Sequence, residues 1–361
     1  MRRKIFSRIS FHQSALTAGT AALLCLCSCG EKEEAKPEVT APSTEATPSA
    51  ADVSRQALAD KMIYGLGRRV GELAGNPEWS EDVREMLDLL ENYYRDMAPA
   101  SEGKMERARL ALRVAETMRD LTAYEKAITA YEQAQKDFDA LPEEERLSPD
   151  GMRLQSAIFN GRGSCLLSLG RGTEALPCYE KALASDMALY TKISASVPAD
   201  ETLPEGEVHP EAARAAADVL SSYRCLGECQ LWADDPEEAR DTYNKGIEFA
   251  KKLDRLSPVM TLQYIRLQGA LGNLESRCGR EREALSAWSQ AAAFCQRLCA
   301  TSCPPSFKVQ AVRYLETLKP SIIDLNRKLQ TASEAEKEAN SSAPAGEGTS
   351  PETAPAADTS R

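Results

Sequence analysis

The sequence predicts an all-α protein in which pairs of antiparallel helices repeat along the chain. Three observations carry this expectation. Aromatic residues make up only 6% of the 361 residues, and Ala, Leu, Glu and Arg dominate, a balance that favours helices over a sandwich or barrel. Four segments share one spacing of small and aromatic residues. Helix-starting and helix-stopping residues fall between the members of that pattern.

The chain opens with a targeting segment. Arg2, Arg3, Lys4 and Arg8 precede an apolar run from Ala15 to Leu26, and no acidic residue intervenes. A basic stretch followed by a short apolar one reads as a secretory signal. The run falls well short of the ~20 residues needed to cross a hydrocarbon core. Cys29 has Ser28 immediately before it and Leu26 three places before it, whereas Cys25 and Cys27 follow bulky leucines. "LCSC" resembles the lipobox of bacterial lipoproteins. The resemblance implies removal of residues 1–28 and attachment of fatty acyl groups such as palmitate to Cys29; an ordinary cleaved signal is the alternative. Each buried methylene contributes about 0.8 kcal/mol, so several chains hold a protein on a bilayer. Gly30, rather than Asp, follows the cysteine. Under the Gram-negative sorting rule this implies an exported protein anchored to the outer membrane and facing the periplasm.

Residues 29–52 are rich in Glu, Pro, Thr, Ser and Ala and cannot bury enough apolar surface to fold. As a disordered tether they would reach about 25 Å on average. Residues 53–105 hold two segments, "RQALADKMIYGLGRRVGELAG" and "SEDVREMLDLLENYYRDM", with apolar residues at helical spacing; they predict an opening helical hairpin.

Residues 106–304 carry the repeats. An alanine, an aromatic four places on and a small residue three further fall at Ala127, Tyr131 and Ala134. The same slots hold Ala175, Tyr179 and Ala182, then Ala239, Tyr243 and Gly246, then Ala284, Trp288 and Ala291. Twelve residues before each first alanine stands a small residue: Ala115, Gly163, Gly227 and Gly272. Small residues at these places let two helices approach closely. Asp235, Pro236 and Glu238 read as a capping box with proline at the first helical position, and Thr122 with Glu125 reads the same way. Gly170 and Gly279 fall where a first helix should stop.

This pattern resembles the tetratricopeptide repeat over roughly residues 106–295. It departs from the family's period of about 34 residues, because successive pattern alanines lie 48, 64 and 45 residues apart. Longer helices or inserted loops are implied, the largest being "ASVPADETLPEGEVHPEAA". The resemblance implies an α-solenoid. An irregular helical bundle with alanine contacts is the alternative. Residues 305–332 predict a capping helix kinked near Pro320, and residues 333–361 a second disordered segment, the C-terminal tail.

Chemistry-bearing residues are few. His12 lies in the signal, which leaves His209 alone beside Pro210, so no Ser-His-Asp or Cys-His set can form without it. No phosphate-binding glycine loop or HExxH occurs. The sequence therefore predicts neither enzyme activity, nor a cofactor, nor a metal site. Formal charge is −11 for the whole chain and −15, 40 basic against 55 acidic residues, once residues 1–28 are removed; that average repels nucleic acid. Eight cysteines follow Cys29. Cys225/Cys229 and Cys295/Cys299/Cys303 are spaced one helical turn apart, and read as small core residues, with disulfides between neighbouring helices or thiolate metal ligation as alternatives.

The resemblance also implies a concave groove lined by the first helix of each pair. Carried over, its residues are Arg109, Glu116 and Arg119, then Asn160 and Ser164, then Arg224 and Glu228, then Arg266, Asn273 and Arg277. Arginines grip carboxylates through two parallel hydrogen bonds, so an acidic or C-terminal peptide of an envelope protein is the expected ligand class. A solvated polar face is the plainer reading of the same residues. The function expected is a membrane-anchored protein–protein interaction scaffold of the cell envelope. The alternative is a solute- or glycan-binding lipoprotein with a helical cleft edged by Trp232, Trp288 and Tyr223.

Overall fold

The computed structural model describes residues 103–196 and 208–342, and a few positions between 88 and 95. The signal 1–28, Cys29, the tether 29–52 and nearly all of the opening hairpin 53–105 lie outside the described residues. So do most of the long loop after the second repeat, at 197–207, and residues 343–361.

Among the described residues the secondary structure is helical. The helices are α1 (Lys104–Asp120), α2 (Tyr124–Asp139), α3 (Glu143–Arg146), α4 (Pro149–Ser168), α5 (Gly172–Ser196), α6 (Pro210–Trp232), α7 (Pro236–Lys251), α8 (Pro258–Arg277), α9 (Glu281–Ala300) and α10 (Pro305–Ser342). They pair as α1/α2, α4/α5, α6/α7 and α8/α9, the four hairpins of the repeat pattern. The chain is thus an all-α array of tetratricopeptide-like helical hairpins. It divides into two compact units, Met1–Arg146 with Ser164–Gly170, and Leu147–Gly163 with Arg171–Arg361.

In the first unit, α1 buries Leu110, Ala111, Val114, Ala115 and Met118, and α2 buries Ala127, Ile128, Tyr131, Ala134 and Phe138. Both sets recur every three or four residues, so each helix turns one apolar stripe to the other.

In the second unit, α8 is apolar on two sides, and the packing explains why. Met260, Tyr264, Leu267 and Leu274 join Ala216, Leu220, Tyr243 and Ile247 of α6 and α7. Leu262 and Ile265 join Trp288, Cys295, Leu298, Ala311 and Leu318 of α9 and α10. A helix flanked by neighbours on both sides loses its simple two-faced pattern, as expected for stacked repeats.

The hairpin turns share one device. Thr122, Gly170, Asp234 and Gly279 have φ of 60°, 74°, 63° and 75°, and each stands five residues before its pattern alanine. Around Thr122, the N–H of Ala123 donates to the carbonyl of Met118 and that of Thr122 to Arg119. Asp235 to Gln230 with Asp234 to Leu231, and Arg280 to Glu275 with Gly279 to Ser276, repeat the arrangement. These are Schellman closures of the first helix. The capping expected at Asp235 is present: its carboxylate accepts from the N–H of Glu238 at 3.1 Å, and Pro236 begins the helix. Ser257 and Pro258 repeat that start on α8. The expected capping box at Thr122 is corrected. α2 begins at Tyr124 after Ala123, which makes no side-chain cap, because Thr122 is spent as the left-handed residue ending α1.

Gly163, Gly227 and Gly272 each lie under the aromatic ring of the same hairpin. A Cβ built on them would come within 2.9 Å of Tyr179, 2.3 Å of Tyr243 and 2.4 Å of Trp288 respectively. Each ring therefore fills the space inside its own helix pair, against the small residue twelve places before the pattern alanine.

The last helix is longer than expected. It runs unbroken through Pro320 to Ser342, ten residues past the boundary placed at 332. Lys328 pairs with Glu281 at the opposite end of α9, so α10 runs antiparallel to α9 along the whole of that helix. All eight cysteines after Cys29 are thiols, with Cys165, Cys178, Cys229 and Cys295 buried. Burial pushes the Cys165, Cys229 and Cys295 thiols up to about 12, the behaviour of inert core thiols.

Candidate partner-binding face

The expected groove residues differ sharply in what they are free to do. In the first unit, Arg109 pairs with Glu106 on its own helix at 2.7 Å. Arg119 turns inward: Nη2 meets Asp120 at 3.0 Å and Nη1 donates to the Tyr131 hydroxyl at 3.4 Å. Its side chain is 15% exposed. Beside it, burial raises the Glu116 carboxyl above its ordinary range, against the pull of Arg119. This cluster reads as a buried polar joint of the α1/α2 hairpin.

In the second unit, Asn160 Nδ2 donates to the Ser156 hydroxyl on its own helix at 3.2 Å. Arg224 and Glu228, one turn apart on α6, form a 2.6 Å ion pair. Arg266 Nη2 donates to Gln310 Oε1 of α10 at 3.2 Å. The Tyr314 ring of α10 lies against Gly269 of α8. Burial pushes the Tyr314 hydroxyl up to about 12, against Arg224, with the charge of Glu228 adding to the rise. Gln310 and Tyr314 were assigned only to a cap; their helical spacing gave no sign that they reach the polar face of α6 and α8.

The structure brings Arg224, Glu228 and Arg277 around one phenol. Tyr243 is fully buried, and its hydroxyl finds no hydrogen-bond partner among the described residues. Burial raises it well above its ordinary range. Glu228 adds to that rise, while Arg224 and Arg277 oppose it.

Asn273 and Arg277 stand apart from the rest. Both are exposed on α8, one turn apart. Trp288 Nε1 donates to Asn273 Oδ1 at 3.0 Å. An indole N–H can only donate, so this bond fixes the amide: the oxygen faces Trp288 and the NH₂ is left for another acceptor. Arg277 has no hydrogen-bond or ion-pair partner among the described residues. Two donors, one cationic, thus share an open face of α8.

A cleft of about 460 Å³ lies elsewhere in this unit, lined by Leu253, Leu256, Pro258, Tyr264, Phe294 and Arg297 among others. None of Trp232, Trp288 and Tyr223 lines it. Among the described residues, no group of three or more His, Cys, Asp or Glu side chains is placed to hold a metal ion.

No protein-family model matches the chain, and no curated protein matches it. Solved structures do align. The TPR-like repeats of a Podosopora anserina kinesin light chain match at 17% identity and TM-score 0.42, over 65% of this chain and 98% of that one. BtubC (BKLC) from P. vanneervenii matches at 17% identity and TM-score 0.42, over 84% and 97%. The yeast histone chaperone Hif1, described as a scaffold protein recruiting protein complexes to core histones, matches at 15% and 0.39, over 62% and 94%. The class of the protein rests on its own helix pairs, turn closures and ring-on-glycine contacts.

Proposed function

We propose that this chain is a protein-interaction scaffold whose α8 face grips an acidic segment of a partner. One observation carries the reading: Asn273 and Arg277 present free donors one turn apart, while the other arginines among the groove residues are engaged within the chain. A carboxylate would accept from the Asn273 amide and the Arg277 guanidinium together, a charge-assisted pairing. In a chain of formal charge −11, an exposed guanidinium beside an oriented amide discriminates by charge as well as shape. The scaffold has no catalytic role in this reading.

The anchoring belongs to the same proposal and rests on the N-terminal sequence. Acylated Cys29 would hold the chain on a bacterial envelope membrane, the outer membrane facing the periplasm, with residues 30–52 as a spacer. The partner would then be an envelope protein.

Two measurements test these halves separately. Fluorescence anisotropy with acidic peptides should give binding that weakens about tenfold or more in Arg277→Glu and in Asn273→Asp; unchanged affinity removes the α8 site. Intact-mass analysis of the membrane-extracted protein should find acyl groups on residue 29, and Cys29→Ser should release the protein from the membrane fraction. A bare Cys29 removes the anchor and leaves the binding site standing.

A further inference from the structure

A second polar cluster lies inside the larger unit, away from the α8 face. Asp186 of α5 is 3% exposed. Ser222 Oγ of α6 donates to its Oδ2 at 2.5 Å, and Ser156 of α4 supplies a second side-chain hydrogen bond. Ser156 in turn accepts from Asn160. One carboxylate therefore ties three helices together through hydroxyls alone. Asp218, one turn before Ser222 on α6, is partly buried and lies close enough to Asp186 to feel its charge. Neither acid has an ion-pair partner among the described residues. Of the cations nearby, Arg153 is taken by Glu211 and Asp150, and Arg214 is exposed. The wall on the same side is apolar: Leu189, Ile193 and Ala215 pack there with Met152.

We propose that Asp186 and Asp218 make the α4–α5–α6 seam a proton-controlled joint, tightened when the pair is protonated and loosened when both carboxylates are charged. This goes beyond the binding reading and does not depend on it.

Hydroxyls can solvate one carboxylate, but they do not neutralise it. Two uncompensated charges in one helix seam repel each other and resist burial. Burial raises Asp186 to about 6, against the two serine hydrogen bonds. Burial raises Asp218 to about 7, and the charge of Asp186 adds to the rise; Arg214 and Arg153 oppose it, and Glu211 adds a little. Both are ordinarily near 3.8. A carboxyl whose folded value lies above its unfolded one stabilises the fold below the unfolded value. That stability is lost as pH rises through the folded value. The seam therefore weakens between about pH 4 and pH 8. Asn160 links it to α4's share of the expected groove, so local loosening reaches a residue on that surface.

The test is amide hydrogen exchange on the full chain, read in peptides from α4, α5 and α6 and corrected for the intrinsic pH dependence of exchange. Protection in these helices should fall on the order of tenfold or more from pH 5 to pH 7, while α9 changes less. Asp186→Asn with Asp218→Asn should abolish the difference, since the amides keep the shape without the charge. Glu116→Gln, which removes another burial-raised carboxyl, should leave it intact in α4–α6. A flat wild-type profile overturns the proposal, as does a pH dependence surviving in the double variant. Should the double variant fail to fold, each single variant must flatten the profile in part; an unchanged profile in both overturns it.

Discussion

The α1/α2 and α8/α9 hairpins were built on one pattern and use it differently. In α1/α2 the small residue is Ala115 and the ring is Tyr131; in α8/α9 they are Gly272 and Trp288. A phenol oxygen accepts as well as donates, so Tyr131 draws Arg119 inward, with Asp120 beside it. An indole N–H can only donate, so Trp288 selects an acceptor, Asn273, and offers a guanidinium no hydrogen-bond acceptor. Arg277 is left outside. In these two hairpins the polar tip of the core ring differs in what it can accept; in α6/α7 the Tyr243 phenol draws no cation, and Arg224 pairs with Glu228 instead.

The comparison can be tested at five positions. Trp288→Ala has the largest effect, about 4 kcal/mol by denaturant unfolding, because it empties the centre of a packed cluster; Trp288→Phe should cost much less and leave the Asn273 oxygen without its donor. Gly272→Ala should destabilise by about 2 kcal/mol, since the new Cβ would meet a rigid ring 2.4 Å away, an overpacking cost exceeding the helix-propensity gain. A near-neutral result would mean the ring can swing aside. Arg119→Ala should cost about 2 kcal/mol by leaving the buried Tyr131 hydroxyl and Asp120 short of a partner. Arg277→Ala should change stability by less than about 0.5 kcal/mol and act on peptide binding alone; equal stability losses would erase the distinction between the hairpins. One substitution acts in the opposite direction. Thr122→Gly should raise stability by about 1 kcal/mol, because a β-branched residue at φ 60° is strained and glycine is not.

Much of the fold was legible, and the reasons are local. Gly170 and Gly279 advertise a left-handed turn by their chemistry, and Asp235-Pro236 advertises a helix start. Thr122 advertises the wrong thing: it is a good capping residue by type, and only its place five residues before Ala127 links it to the glycines. The segment after 332 reads as polar tail, but its Ala, Glu and Lys are strong helix formers, and α10 continues through it to Ser342. The candidate site was legible by position and not by availability. Arg224 with Glu228 and Arg109 with Glu106 sit at spacings that favour pairing along a helix. Arg266 with Gln310 joins residues 44 apart, which no local pattern reveals. No local pattern marks Asp186 or Asp218, because the contacts of Asp186 with Ser156 and Ser222 join residues far apart in the chain.

The ring seated on its glycine has a consequence for how such a chain can change over generations. Where a Cβ would intrude within 2.3 Å of Tyr243, neither position is free to drift alone. A lineage that gains a methyl group at residue 227 must first accept a slimmer occupant at 243, and the reverse order leaves a void. Sixteen residues apart in the chain, the two behave as one heritable unit. Exchanges made together at 227 and 243 would mark descendants of this protein even after the rest of the sequence had diverged.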